Sequence, residues 1–599
     1  MNWSKLTFFS KALITVLVAG GIGAAVYFLS PGLRSEESKK LDKIDIEGKD
    51  VNNMTTSAEL PLATSTQSTL VQDKPLIRIA GYAWNGQSAI IAANGGPKTT
   101  EGSLMEQNGV NLEIIRQDWL TELRNLQMKF IEDFDKGNTK TKEGAAGIII
   151  MGDGVPYYIS STQQSLDDKY GKGKYQLQVI GAIGLSYGED KLIGPPSWKM
   201  NPQSMKGALI SAVIGDGDWV TAVNYAFANN IKVNPDPTTY DAEAVNFLAS
   251  ANDDYIESAK ELIKSQKEGW TIPLKEVKNG KQTGTTINKK VDGCATWTPG
   301  DKMVFDALSG FTDIVSTKEF NNQMATTLIV PKQWADQNKD AVVNILKSTY
   351  LASNQIKQYD KWQRKAGENV AVTFNMENAD YWYKMFKGQK GEKNGISYNM
   401  GGTRVFNFAD ANQYYGVSDG VNRYKAVYDQ VSKYLKELNP AGFNQNVKRI
   451  VPYDEAVNLS FLKQITNIDE GKADVADYSK EATQKVASGE WQINFDVGRA
   501  SLRPEGKDVI DQIYNLLIQA ENSKLELIGH TDNSGTQDAN YSLSRARAEA
   551  VKSFLIQKGI PANRFQKIEG KGQDVPVGDN NTPAGKAQNR RVEVNLLKY

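Results

Sequence analysis

The two residue types behind most hydrolytic and transition-metal chemistry occur once each in this chain, as His530 and Cys294. A multi-histidine metal centre is therefore impossible, and a Ser-His-Asp triad could form only around that one imidazole. One cysteine likewise excludes an intramolecular disulfide framework and a cysteine-based zinc site. Cys294 reads as a small buried hydrophobe. His530 follows an apolar strand and reads as a structural histidine rather than a general base. An enzyme is the least expected class, with no cofactor and no metal. With 70 Lys+Arg against 70 Asp+Glu, the chain lacks the basic field that holds nucleic acid, so nucleic acid is not an expected partner.

What remains is a set of polar and aromatic turns, each following an apolar run: Trp84 and Asn85 in YAWNG, Asp153 in GDG, Asp216 in GDGDW, and Trp297, Thr298 and Asp301 in CATWTPGD. Helices starting from such turns carry free N–H groups that suit an anion or carboxylate. The aspartates oppose that preference, because they repel an anion unless it brings a proton to donate. Taken alone, each turn reads first as a structural turn or cap, and each Trp also reads as a plug between lobes.

The elements that must hold these turns alternate. Residues 76–81 read as a strand, 87–91 as the start of a helix and 112–115 as a second strand. Trp119, Leu120, Leu123, Leu126, Phe130, Ile131 and Phe134 then keep the 3.6-residue period of a helix. Residues 147–151 form a third, fully apolar strand. This order implies a mostly parallel α/β sheet, in which ligands sit at the carboxyl ends of the strands.

Three segments carry a resemblance in this region: IRIAGYAWNG, DGDWVTAVNYAFANNIKVN (216–234) and TTLIVPKQWADQNKDAVVNILKSTYLASNQI (326–356). They resemble the type 2 periplasmic-binding-protein fold of ABC-transporter solute receptors, of the nitrate/taurine and phosphate kind. The resemblance covers roughly residues 75–465 and implies two lobes closing on a small solute by a hinge. Trp84, Asn85, Asp153, Asp216, Trp297, Thr298 and Asp301 are the expected cleft residues. The fold does not set the ligand.

Towards the C-terminus, 474–487 reads as a polar linking helix, and 491–496 alternates as a strand. A helix follows with Val509, Ile510, Ile513, Leu516 and Leu517 on one face, and then the strand 525–529 leading into His530-Thr531-Asp532-Asn533. A further helix carries Leu543, Ala546, Ala550, Val551, Phe554 and Leu555, and a final strand covers 591–596. INFDVGRASLRPEG, ELIGHTDNSG, NYSLSRARAEAVKSFL and IEGKGQDVPVGDNNTPAGKAQNRRVEV, in that order, closely resemble the OmpA C-terminal peptidoglycan-binding family. The resemblance implies that the domain holds the diaminopimelate part of the wall's stem peptide. It places Asp532 at the ammonium-binding aspartate and Arg547 at the carboxylate-binding arginine, with Asn533, Asp496, Leu543 and Arg591 near the ligand. The chemistry agrees: a zwitterionic amino-acid end needs one anion and one planar guanidinium fork.

Ahead of these units, Ala12 to Leu29 carries no charge and, at roughly 18 residues, just suffices to span a bilayer. An uncleaved inner-membrane anchor is the preferred reading and a cleaved signal peptide the other. The expected organisation is α/β throughout: 1–30 anchor or signal peptide, 31–74 flexible linker, 75–465 two-lobed domain, 466–490 linker helix, 491–599 α+β peptidoglycan-binding domain. The function expected is that of a non-enzymatic envelope protein, single-pass in the inner membrane with periplasmic domains. It would bind peptidoglycan and a small solute, an anion among the options. The alternative is a scaffold whose receptor-like domain docks a partner protein. An ABC permease or another envelope protein would be the further partner.

Overall fold

Gly147–Met151 is buried along its whole length, as a strand covered on both faces must be. In the computed structural model, which describes residues 58–138, 143–393, 396–438, 447–493, 495 and 498–599, it lies inside a six-stranded sheet. The strand order is Thr403–Val405, Leu177–Ser186, Ala325–Pro331, Gly147–Met151, Leu76–Gly81, Asn111–Arg116. Leu76–Gly81 pairs in parallel with both its neighbours. Ala325–Pro331 runs antiparallel to Gly147–Met151 and to Leu177–Ser186. The helix Leu120–Asp135 buries Leu123, Phe130, Ile131 and Phe134, one face at helical spacing.

A second six-stranded sheet has the order Thr312–Ser316, Lys191–Gly194, Gly293–Thr296, Leu209–Ala212, Ala244–Ala249, Lys232–Val233. The chain crosses between the two sheets twice, at 186–191 and 316–325, which defines two lobes. The crossovers are tied together: Ser186 Oγ lies 2.8 Å from Thr317 Oγ1, the Gly188 N–H donates to Thr317 Oγ1 at 2.8 Å, and the Thr317 N–H donates to the Asp190 carbonyl at 3.0 Å.

The C-terminal domain is a four-stranded sheet, in the order Gln484–Trp491, Val592–Lys598, Lys524–Gly529, Phe565–Gly570, packed against the helices Pro504–Gln519 and Gln537–Gln557. The polar helix expected over 474–487 does not form. The strand Gln484–Trp491 takes up the last four residues of that stretch and pairs antiparallel with Val592–Lys598. Its buried side alternates Ala487, Gly489 and Trp491, and a Cβ on Gly489 would meet the Trp491 ring at 2.0 Å. With small residues facing inward, the strand lacks the apolar alternation by which strands are recognised, and cross-strand pairing overrides local preference.

The described part of the expected linker is not free chain. The Leu60 N–H donates to Gln355 Oε1 at 2.8 Å, Trp362 Nε1 donates to the Leu60 carbonyl at 3.0 Å, and Ala63 and Val71 are buried. A few aliphatic side chains suffice to hold 58–74 on the first lobe. The apolar run Ala12–Leu29 lies outside the described residues; among the described residues no helix is long and apolar enough to cross a membrane.

The C-terminal domain is docked on the lobes. The helix Arg423–Glu437 packs against Pro504–Gln519, and one apolar core runs from the second lobe through Val427 and Val431 into Ile513 and Leu517. Arg423 donates twice to Glu521, Nε to Oε2 and Nη2 to Oε1, each at 2.8 Å. Asn322, in the second crossover, donates through Nδ2 to Glu521 at 2.6 Å, and its N–H donates to the Gln519 carbonyl at 3.0 Å. Burial alone would raise the Glu521 pKa, but the Arg423 fork holds it below the usual glutamate value.

Candidate functional sites

Strand Lys524–Gly529 ends against the helix Gln537–Gln557 so closely that a Cβ on Gly529 would sit 2.0 Å from the Ser544 carbonyl oxygen. Only glycine permits that approach, and it sets the loop after the strand beside the helix carrying Arg547. Asp532, Leu543 and Arg547 line one cavity of about 620 Å³. Asp532 accepts from the Ser534 N–H at 2.9 Å and from Arg590 Nη1 at 2.7 Å. Burial would raise its pKa, but these bonds outweigh it and hold Asp532 below the ordinary aspartate value, as an anion. Arg547 Nε donates to the Arg499 carbonyl at 3.2 Å, and the guanidinium sits 5.0 Å from the Phe495 ring centroid. Burial, then Arg590, lowers the Arg547 pKa, yet a guanidinium stays charged near neutrality. The cavity thus offers an anion at one place and a fork at another, the pattern a zwitterion requires.

Asn533 is exposed and its N–H donates to Asn580 Oδ1 at 3.3 Å. Asp496 falls outside the described residues. Arg591 does not line this cavity: it pairs with Glu490 at 3.1 Å and donates to the Val575 carbonyl at 3.2 Å. Its neighbour Arg590 lines the cavity instead, together with Lys586. The NRR run announces two arginines, but they fall in the short connection between the helix Pro583–Asn589 and the strand Val592–Lys598, and sequence alone does not say which of them turns toward the cavity. His530 is buried with Nε2 3.6 Å from Glu593. That contact, against burial, draws the Glu593 pKa down to about 2.

The second candidate lies where the lobes meet. Trp84, Asn85, Asp153, Trp297, Thr298 and Asp301 are all buried, and Asp216 is half-buried. Asp301 pairs with the fully buried Lys191 and accepts from Thr298 Oγ1 at 3.1 Å. Asp153 accepts from Gln323 Nε2 at 2.8 Å. The Asp153 and Asp216 loops abut: a Cβ on Gly154 would lie 2.9 Å from Asp216 Oδ1, and one on Gly217 would lie 2.8 Å from Asp153 Oδ1. Trp297 stacks on Tyr255 with ring centroids 3.5 Å apart.

Sequence reasoning missed Glu189, Asp190, Lys191, Asp218 and Gln323, although the charged run GEDK between two apolar strands was visible. Such a run ordinarily reads as a solvated turn; here it is the first crossover and is buried. The helix N-termini that favoured an anion are matched by carboxylates. Burial pushes Asp153, Glu189 and Asp218 well above the usual carboxylate range, with neighbouring acids adding to it.

Asp216 is pushed up to about 7 by burial, with Asp253 adding to it. Its folded pKa thus exceeds its unfolded value. The native state binds more protons between about pH 4 and 7, and the stability this confers is present on the acid side and lost as pH rises through that window. The melting temperature is expected to fall from about pH 5 to about pH 8, and Asp216→Asn, which keeps the helix-capping acceptor, should flatten the profile. An unchanged slope would remove Asp216 as a cause.

Residues 494–590 match the OmpA family. Outer membrane protein A of Bordetella avium is 39% identical over 103 residues, which cover 17% of this chain and 53% of that protein. The probable lipoprotein YiaD of Escherichia coli is 38% identical over 104 residues, 17% of this chain and 47% of that protein. The chain spans about half the length of these curated relatives. Among solved structures, the cell wall anchor of the T6SS from Pseudomonas aeruginosa is 31% identical over 18% of this chain and 76% of its own, with a TM-score of 0.16. The periplasmic nitrate-binding protein NrtA from Synechocystis PCC 6803 is 8% identical over 65% of this chain and 88% of its own, with a TM-score of 0.43. The C-terminal unit is an OmpA domain.

Proposed function

We propose that this chain is a non-enzymatic envelope protein that grips peptidoglycan through Asp532 and Arg547 and carries a two-lobed solute receptor at the wall. The observation carrying the wall-binding half is the juxtaposition of an ionised carboxylate and a guanidinium in one cavity of about 620 Å³. Asp532 takes the ammonium and Arg547 the carboxylate of a diaminopimelate-type stem peptide. Arg590 moves from Asp532 towards the incoming carboxylate or remains as a second donor. In this reading residues 1–30 anchor the protein in the inner membrane and hold both domains in the periplasm.

Sedimentation with purified peptidoglycan tests this. Asp532→Ala and Arg547→Ala should each lose most of the wild-type pelleting while keeping the wild-type melting temperature within a few degrees. Undiminished pelleting of both would remove the site. The second reading, a scaffold that docks a partner protein through the receptor-like domain, draws on the Tyr255–Trp297 stack, which fills space between the lobes with the protein's own rings.

A further inference from the structure

The buried groups between the lobes divide unequally between acceptors and donors. Asp153 Oδ1 and Asn85 Oδ1 have no hydrogen-bond partner, Glu189 has the Trp84 indole against it, and Asp190 and Asp218 face each other. Among donors, the Asn85 amide and the Thr326 hydroxyl are in the same condition, while the indoles of Trp84 and Trp297 lie against Glu189 and Tyr255. Lys191 is the buried cation here among the described residues, and it is engaged with Asp301.

Asn85 is an independent sign of a missing occupant. It is 1% exposed, neither of its amide atoms is bonded, and its loop is held at the lobe boundary. On one side is Trp84, whose indole lies against Glu189; on the other is Gly86, whose carbonyl would meet a Cβ on Gly184 of the crossing strand at 2.7 Å. Buried polar groups are ordinarily satisfied, so an open amide, the open Asp153 Oδ1 and three further acids with few donors among them define what the occupant must bring.

We infer that the cleft takes an organic cation, a solute with protonated amine groups whose N–H donors meet Asp153, Glu189, Asp190 and Asp218 while the Trp84 and Trp297 rings cover its carbon skeleton. This rests on the receptor reading above and names its ligand class. Burial favours the neutral form of Asp153, Glu189 and Asp218 in the free protein, and an incoming ammonium lets them ionise against it; an anion would gain no such partner, since among the described residues here the buried cation, Lys191, is engaged with Asp301. A metal ion fits less well, since among the described residues no three acidic, Cys or His side chains converge to hold one. The solute enters when the lobes part about the crossovers 186–191 and 316–325.

The test is calorimetric titration and thermal shift of the full-length protein with putrescine, spermidine, phosphate and nitrate near neutral pH. The amines should bind saturably and raise the melting temperature; phosphate and nitrate should not. Asp153→Asn and Asp218→Asn keep side-chain shape without the charge. Each should weaken putrescine binding tenfold or more while leaving the melting temperature of the free protein near the wild-type value, because the amide replaces a carboxyl that burial already favours in its neutral form. A merely structural carboxylate would do the reverse, lowering the melting temperature with binding unchanged, and that result would overturn the assignment. Binding of phosphate or nitrate in place of the amines would overturn the cationic ligand and leave the receptor reading standing. Binding of none of the four would overturn both and leave wall attachment alone.

Discussion

Replacing Arg423 with Met should destabilise the protein by about 3–5 kcal/mol, the range for removing one partner of a buried ion pair. Arg423 is buried, and its fork holds Glu521 of the C-terminal domain through two 2.8 Å bonds. Without it, Glu521 keeps Asn322 as a donor and the more distant Arg564 charge but stays buried without its ion-pair partner. Urea unfolding measures the loss, and hydrogen exchange at residues 518–522 reports whether the domain has come off the crossover. The double variant Arg423→Met with Glu521→Met should recover most of the stability, since a buried pair and an apolar pair of similar size often come out nearly even. A single-variant loss below about 1 kcal/mol would mean that the apolar contacts alone hold the domain.

The other large effect is expected at Lys191. Both it and Asp301 are fully buried, and Asp301 otherwise has the Thr298 hydroxyl and the Lys302 N–H. Lys191→Met leaves Asp301 beside Glu189, which is already disfavoured as an anion by burial and by Asp190. A loss of about 3–5 kcal/mol is expected, concentrated in the second lobe. Asp301→Asn in the same background should restore part of it by removing the stranded charge. If Lys191→Met melts like the wild type, the pair is not what closes this end of the cleft.

Both predictions concern contacts between residues far apart in the chain, and that separation governs what was legible beforehand. The strands 76–81 and 147–151 and the helix carrying Phe130 and Phe134 announce themselves through periodicity, because one face of each must be buried. The strand Gln484–Trp491 did not, because its inward face is Ala487, Gly489 and Trp491. Gly489 is there to clear the indole, and small residues leave no apolar alternation to read. Asp532 and Arg547, which the resemblance to the OmpA family singled out, line one cavity, as a loop after a strand and a neighbouring helix can. Arg590 was not singled out, because choosing between adjacent arginines requires knowing how the chain turns between the helix Pro583–Asn589 and the strand Val592–Lys598.

By itself, the sequence determined what this protein lacks, with one histidine and one cysteine; it also determined the alternating strand and helix order and the ordered motifs of the OmpA domain. These follow from residue chemistry and short-range spacing. Tertiary structure alone decided that GEDK is a buried crossover rather than a solvated turn. It also decided that carboxylates from separate loops meet between the lobes, and that Gln519 and Glu521 dock on Asn322. Each is a contact between segments tens to hundreds of residues apart. Local propensity carries no record of such contacts, because they are set by how two lobes and a third domain bury their remaining surfaces against one another.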